Sequence, residues 1–230
     1  MKKVILVLLA CLLLVPCALA EGGLEITQEA FHVIEENDFD GLAYASVANY
    51  YYAKVTNTGS QPMVMDAGIL TVTDSDQVVQ YVGEAYDTFP HVVLPGQSAY
   101  LWASVDMLID DLFNEGSGYE FELIDKPASD GAPLLLEVME ASYVEEPHPI
   151  FEADQIVFVT VRNPMDYPVK NPCCGFGLYA EDRLIFAGNA ECFDVCIPAG
   201  QTIVIAAPLF RDVTVDQGLI PEVQAIAYAE

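Results

Sequence analysis

Apolar and polar residues alternate in short runs along most of the chain, and turn-forming residues separate the runs. Aromatic and β-branched residues are concentrated in these runs, for example in Ala48–Val55, Gly68–Thr73 and Ile156–Val161. Such residues favour strands, and the spacing of the turn signals is typical of an antiparallel β-sandwich. Two segments, Val105–Asn114 and Leu209–Leu219, do not follow this pattern. For each we predict a short helical turn or an irregular loop.

The chain also contains an internal repeat. Val55–Asn57 recurs in the second half as Val161–Asn163, each followed by a proline at the same distance, and the turn Leu94–Gln97 recurs as Ile197–Gln201. The flanking strands can be matched in the same order, which fixes the number of domains. We predict an all-β protein with two tandem antiparallel sandwiches: residues 21–126 form the first, 127–133 a linker rich in small residues and proline, and 134–230 the second.

The order of these elements resembles a known family. A strand, a Val-x-Asn turn, a hairpin with an acidic tip and a Leu-Pro-Gly-Gln turn are similar to the small extracytoplasmic immunoglobulin-like domains of the FxLYD type in bacterial envelope proteins. The resemblance is carried by Val55–Asn57, Leu70–Asp74 and Leu94–Gln97, and less closely by Val161–Asn163, Leu178–Asp182 and Ile197–Gln201. It implies an immunoglobulin-like fold and an extracytoplasmic location, and it brings no catalytic residues.

The N-terminus predicts export. Lys2 and Lys3 precede an apolar run from Val4 to Val15, and Ala18–Ala20 supplies the small residues that precede a cleavage site. We therefore predict that residues 1–20 are a cleaved signal peptide. The run of about 12 apolar residues is shorter than the roughly 20 that a membrane-spanning helix needs.

Attachment to a lipid is an alternative, because Cys11 and Cys17 both follow apolar residues near the N-terminus. Pro16 is unfavourable directly before a modified cysteine. Modification at Cys11 would leave the apolar residues Leu12–Val15 at the start of the mature chain. The sequence thus argues against a lipid anchor.

The chain is strongly acidic, with 8 basic and 35 acidic residues and a formal charge of −27. Loss of Lys2 and Lys3 with the signal peptide would make the charge −29. Such a chain disfavours nucleic acid and other anionic partners, since nucleic-acid binding leaves a basic footprint. The acidity suits solubility, or attraction of divalent cations or of a basic protein.

Four cysteines follow the predicted signal peptide: Cys173, Cys174, Cys192 and Cys196. An even number in an exported chain predicts two disulfides. A bond between the adjacent Cys173 and Cys174 would be strained, so each is expected to pair with Cys192 or Cys196, in either of two patterns. The alternatives are a four-thiolate zinc site, which the adjacent ligands disfavour, and redox chemistry.

Candidate binding residues come from two other groups. Tyr50, Tyr51 and Tyr52 alternate across a predicted strand, so one face could present tyrosines to a glycan or a peptide, with core packing as the ordinary alternative. We expect Trp102 to fill the core of the first sandwich. No metal site is predicted, although acidic loops offer calcium candidates at Asp38, Asp40, Asp74 and Asp76.

The sequence contains no recognisable catalytic motif, and for the three histidines we expect surface or packing roles. We predict a non-enzymatic secreted or cell-envelope protein that acts as a binding or spacer module without a cofactor. Its partner would be a protein or glycan at the cell surface. The alternatives are a calcium-dependent adhesion or sensing protein and, less directly supported, a hydrolase that uses a pair of carboxylates.

Overall fold

A computed structural model describes residues 22–36, 46–85, 87–108, 118–129, 131–146, 153–209 and 220–229. The described chain is all-β and consists of antiparallel strands. The predicted signal peptide lies outside the described residues. The strands of the first half are β1 (Leu24–Glu36), β2 (Ser46–Asn57), β3 (Met63–Thr73), β4 (Val79–Ala85), β5 (Ser98–Leu108) and β6 (Gly118–Pro127).

The second half continues the same pattern of strands. They are β7 (Leu134–Leu135), β8 (Glu137–Glu145), β9 (Gln155–Arg162), β10 (Val169–Lys170), β11 (Pro172–Ala180), β12 (Arg183–Glu191), β13 (Cys196–Ile197), β14 (Thr202–Pro208) and β15 (Glu222–Ala229). Val105–Leu108 belongs to β5, which corrects the expectation of a helical turn or loop there, because these residues continue the pairing with β2. The remainder of that segment, and nearly all of Leu209–Leu219, lies outside the described residues.

Strand pairing is the same in the two halves. The first half has sheets of order β1-β2-β5 and β4-β3-β6, and the second has β8-β9-β14 and β12-β11-β15, with β7 added beside β15. A short β10-β13 ladder completes the described set. The register shift between Ile26 and Gln28 in β1 recurs between Val138 and Glu140 in β8. The sequence repeat is thus accompanied by a repeat of topology and of bulge position.

Turn chemistry explains the hairpins. Glu181 and Asp182 link β11 to β12 with φ angles of 50° and 66°, the positive values that a tight two-residue hairpin requires. Asp74 begins the turn before β4, where Gln77 has a φ of 61°. Gly96 and Gly200 have φ angles of 73° and 70° at matching turns, which glycine adopts without steric cost.

Two clusters of buried residues form the core. The first contains Leu70 and Val72 of β3 together with Leu101 of β5 and neighbouring residues of β1 and β2. The second contains Val157 and Val159 of β9 with residues of β11 and β12, but it also includes Tyr50, Tyr52 and Tyr100 from the first half. The second core therefore extends across the boundary between the repeats.

Candidate functional site

The three consecutive tyrosines of β2 are buried. Tyr50, Tyr51 and Tyr52 are 6%, 0% and 2% exposed. Tyr51 belongs to the first core, where its ring stacks on Phe121 at 4.4 Å between centroids, whereas Tyr50 and Tyr52 belong to the second core. Both faces of β2 are covered, so these tyrosines pack in the cores, as the ordinary alternative held, and do not form the possible binding surface.

The second half covers the outer face of β2 and β5. The rings of Tyr52 and Phe186 lie 4.8 Å apart between centroids, and the hydroxyl groups of Tyr100 and Tyr179 are hydrogen-bonded at 3.1 Å. At the edge of this contact, Lys54 Nζ donates to Gln224 Oε1 at 3.2 Å. Burial, followed by the bond to Tyr179, raises the pKa of Tyr100 far above its ordinary value, so this hydroxyl stays protonated. The two repeats thus share an apolar contact with a buried polar pair inside it.

Two glycines of β11 permit this close approach. A Cβ atom at Gly177 would lie 2.5 Å from Cε1 of Tyr100 and 2.8 Å from a methyl group of Leu184. At Gly175 it would collide with the backbone carbonyl of Phe89. Side chains larger than hydrogen at these two positions are therefore incompatible with the contact as it stands.

Trp102 also belongs to the contact between the repeats. It is half-buried against the second core, and its Nε1 donates to Oδ1 of Asn189 at 3.4 Å. This corrects the expectation that Trp102 fills the core of the first half. The reason is that Trp102 lies on the face of β5 opposite Leu101 and Ala103, which occupy the first core.

A cleft of about 530 Å³ opens beside this contact, between β1 and β12. One wall is formed by residues 28–32 of β1, and the other by Ala180 and residues 182–185 of β12 and the preceding turn. Its volume lies within the range of roughly 300 to 1,000 Å³ that is usual for small-molecule sites, which often occur between domains. The sequence offered no motif for this cleft, because its walls meet only through the packing of the two repeats.

Polar groups line the cleft on both walls. Gln28 Nε2 donates to the backbone carbonyl of Asp182 at 3.3 Å, whereas Gln28 Oε1 is buried and has no hydrogen-bond partner among the described residues. Within the same part of the chain, no carboxylate lies within 4 Å of the exposed Arg183 guanidinium. The cleft therefore presents the Arg183 cation beside the exposed carboxylates of Glu29 and Asp182, while the unsatisfied Gln28 oxygen is buried in its wall.

The two ionisable groups of the β1 wall, Glu29 and His32, are hydrogen-bonded to neighbouring residues. The Glu29 carboxylate accepts a hydrogen bond from the Tyr51 hydroxyl group at 2.7 Å. Burial lowers the pKa of His32, and a hydrogen bond to the backbone of Ile185 opposes that shift. His32 is thereby kept neutral near pH 7 and is fixed against β12, which matches the packing role expected for it.

The four cysteines lie at one end of the β11–β12 hairpin and are free thiols in the structure. Cys174 is buried opposite Ala190, and Cys173 is opposite Glu191. Cys192 donates its backbone N–H to Pro172, and Cys196 pairs with Lys170 in the β10-β13 ladder. Burial raises the pKa of the Cys174 thiol to about 12 and also raises that of Cys192. The two predicted disulfides stay a prediction.

Of the calcium candidates, Asp74 is hydrogen-bonded within its own turn. Oδ1 of Asp74 accepts the backbone N–H groups of Asp76 and Val78 at 2.9 Å each, and Oδ2 accepts the side-chain amide of Gln80 at 2.6 Å. Asp38 and Asp40 lie outside the described residues. The described part of the chain has no group of three or more His, Cys, Asp or Glu side chains placed to hold a metal ion.

Comparison with protein-family models gives no match for this chain, and no curated protein matches it. Among the described residues, no helix is long and apolar enough to cross a membrane. The candidate site therefore depends on geometry alone: a cleft between two strand edges, with a buried unsatisfied oxygen on one wall and a guanidinium on the other.

Proposed function

We propose that this chain is a non-enzymatic binding protein of the cell exterior or envelope, built from two tandem immunoglobulin-like β-sandwiches. The observation that carries the proposal is the cleft between β1 and β12, which exists because the two repeats pack against each other. In this proposal the second repeat completes the binding site of the first, so the pair acts as a unit rather than as a flexible spacer.

Two sets of contacts support the assignment of two sandwiches. In each half, one sheet of three strands and a second sheet of matching strand order contribute to a buried core. Asn57 and Asn163 lie at equivalent turns and donate to backbone carbonyls at corresponding positions, those of Val93 and Ile197. Sandwiches with antiparallel sheets of this length are the usual architecture for such strand patterns.

The location rests on the sequence. A charged start, an apolar run and a small-residue cleavage site precede the first strand, and an even number of cysteines suits an oxidising compartment. The resemblance to extracytoplasmic immunoglobulin-like domains points to the same place. In such a compartment the net charge of −29 that remains after loss of the signal peptide favours a soluble chain that does not adhere to anionic polymers.

Binding is favoured over catalysis by the state of the ionisable groups in the cleft. Glu29 is bonded to the Tyr51 hydroxyl, and His32 is fixed to the backbone of β12. Both bonds hold the walls of the cleft. The exposed side chains of Arg183 and Asp182 remain as groups that can contact a ligand.

The test uses the exported, purified chain with a photo-reactive amino acid in place of Asp182, which lines the cleft, and a control chain with the same group in place of Asp166, an exposed residue outside it. We expect cross-linking to an envelope protein or glycan from the Asp182 position alone, and no hydrolysis of polysaccharides or peptides. Hydrolysis that disappears in the variant Glu29→Gln would overturn the proposal. Equal cross-linking from both positions would show that the cleft is not the binding site.

A further inference from the structure

We propose that the four cysteines form two nested disulfides, Cys174–Cys192 at the second core and Cys173–Cys196 at the surface, and that a reductant opens the surface bond first. This inference goes beyond the proposed binding function and does not depend on the cleft. It needs an oxidant where the chain folds, which an exported chain meets.

Cys174 and Cys192 lie on the same side of the β11–β12 hairpin. Cys174 is directly opposite Ala190, and no register shift interrupts this end of the ladder. The backbone N–H of Cys192 donates to the carbonyl oxygen of Pro172 at 3.0 Å, which continues the ladder beyond the last residue of β12. Because residues two apart on a strand point to the same side, Cys192 shares the side of Ala190 and of Cys174.

Burial agrees with this pairing. Cys174 is a fully buried member of the second core, and Cys192 is partly buried against the same core. Burial raises the pKa of Cys174, a hydrogen bond to the backbone of Ala190 opposes the shift, and the charge of the Cys192 thiolate adds to it. The two thiols are therefore neighbours in the folded chain.

Cys173 points to the other side of β11, toward the segment that carries Cys196. Adjacent side chains of a strand alternate, so Cys173 and Cys174 face opposite ways. The Sγ atom of Cys173 donates to the carbonyl oxygen of Asn171 at 3.4 Å. The N–H of Asn171 in turn donates to the carbonyl oxygen of Val195 at 2.9 Å. The Cys173 sulfur therefore lies beside the residue that precedes Cys196.

The other pattern would join cysteines on opposite sides of the hairpin. Cys173 and Cys192 point away from each other, because only Cys192 shares the side of Cys174. Cys174 is 0% exposed, whereas Cys196 is exposed opposite Lys170 in the β10-β13 ladder. A bond from Cys174 to Cys196 would require one of these residues to leave its ladder.

Each bond forms by thiol–disulfide exchange with an oxidant that is itself a disulfide, that of an oxidoreductase or of oxidised glutathione. One cysteine thiolate attacks this disulfide, which gives a mixed disulfide and releases one oxidant thiolate. The partner thiolate then attacks the protein sulfur of the mixed disulfide and releases the second. Two cysteine thiols are oxidised, one disulfide is reduced to two thiols, and the two protons pass to the released thiolates.

Access decides the order in which the bonds open. A reductant must reach a sulfur atom of the bond that it attacks, and exposed disulfides are the more easily reduced ones. Cys196 is exposed, so the Cys173–Cys196 bond offers such an atom. The Cys174 sulfur is covered by the second core, and Cys192 is partly covered by it.

Limited reduction of the purified exported chain tests the pairing and the order together. The chain is treated with limiting phosphine, the freed cysteines are cyanylated in acid to suppress exchange, and base then cleaves the backbone directly before each cyanylated cysteine. The species that has lost one bond should give fragments 21–172, 173–195 and 196–230 by mass spectrometry, because Cys173 and Cys196 are freed together.

Two double variants provide an independent check. The variant Cys173→Ser/Cys196→Ser keeps the inner pair and should still lose two hydrogens when it refolds in a glutathione redox buffer. The matched control Cys173→Ser/Cys192→Ser keeps Cys174 and Cys196, which should stay thiols. Melting temperatures of the reduced chains show whether both variants keep the fold.

Cleavage of the singly reduced wild type before Cys173 and Cys192, or before Cys174 and Cys196, would overturn the pairing. Release of Cys174 and Cys192 first would overturn the order of opening. Four thiols in an exported chain that still cross-links through the cleft would refute this inference and leave the proposed binding function intact. The expected fragments from a chain that does not cross-link would refute only the proposed function.

Discussion

Asn57 and Asn163 make the same hydrogen bonds in the two halves of the chain. The side-chain amide of Asn57 donates to the carbonyl oxygens of Gln61 and Val93 at 2.8 and 2.7 Å, and its Oδ1 accepts the N–H of Gly59. Asn163 donates to the carbonyl oxygens of Tyr167 and Ile197 at 2.8 and 3.0 Å, with a longer bond to that of Pro198 at 3.3 Å, and accepts the N–H of Met165. Both residues are fully buried. Each asparagine therefore ties a strand end to two separate turns.

Replacing either asparagine should cost stability by a similar amount. Asn57→Ala and Asn163→Ala each leave buried carbonyl oxygens without a donor, and we expect a loss of about 2 to 4 kcal/mol. Denaturant unfolding of the purified variants measures this loss. A cost below about 0.5 kcal/mol, the usual range for surface changes, would show that the shared turn is not held by the side chain.

Gly177→Ala should destabilise the contact between the repeats. The added Cβ meets the Tyr100 ring at 2.5 Å, and overpacking of this kind costs about 1 to 3 kcal/mol. The matched control is Gly131→Ala, where a Cβ meets nothing within 4 Å and stability should stay within about 0.5 kcal/mol. Thermal unfolding measures both changes.

A double-mutant cycle then assigns that loss to the Tyr100 contact. Removing the ring with Tyr100→Ala is itself destabilising, but Gly177→Ala should cost less in that background because the clash is relieved. Additive effects of the two substitutions would place the strain against Leu184 or Tyr179 instead.

Local pattern was sufficient to predict the strands, the acidic hairpins and the equivalence of the two halves. The aromatic and β-branched runs of β2 and β9, and the asparagine and glycine turns, act over a few residues and can be recognised in one sequence. The packing of Tyr52 on Phe186 was not predictable, because both faces of a strand can be apolar without indicating which partner covers each. The cleft was missed for the same reason, since Gln28 and Asp182 come into contact through tertiary structure alone.

The cysteine prediction is checked by intact mass spectrometry of the exported chain. We expect cleavage after Ala20 and a mass lower by four hydrogens than that of the reduced chain, corresponding to two disulfides. Without prior reduction, iodoacetamide should label none of the four cysteines. After reduction, the exposed Cys196 should react first and Cys174 last, because burial raises the pKa of Cys174 to about 12. Four thiols that react before reduction would contradict the prediction.

Asp74→Ala should loosen the β3–β4 hairpin whether or not calcium is present. The substitution removes three hydrogen bonds at an exposed turn, and we expect a loss of about 1 kcal/mol. Asp76→Ala serves as the control, because only the backbone of Asp76 takes part in this turn. Any rise in melting temperature with millimolar calcium should survive Asp74→Ala, and its loss would assign a calcium site to the hairpin.

His32 should make stability fall under mild acid. Because burial lowers its pKa below the ordinary 6.5, the unfolded chain takes up the proton first. Its contribution is complete above pH 6.5 and is lost as the pH falls through the lower folded-state pKa. The difference in unfolding free energy between the wild type and His32→Gln, measured from pH 8 to about pH 5, should narrow on acidification. A constant difference would exclude this linkage.

The absence of side chains at Gly175 and Gly177 has a consequence for how the protein can change over generations. The two halves are equivalent in strand order, but two backbone positions of the second half now fit closely against residues of the first half. Neither can be exchanged for a fresh duplicate, and the first expressed alone would expose Tyr50, Tyr52 and Trp102 as an adhesive surface. The two halves are therefore inherited together, and they would have to be engineered together.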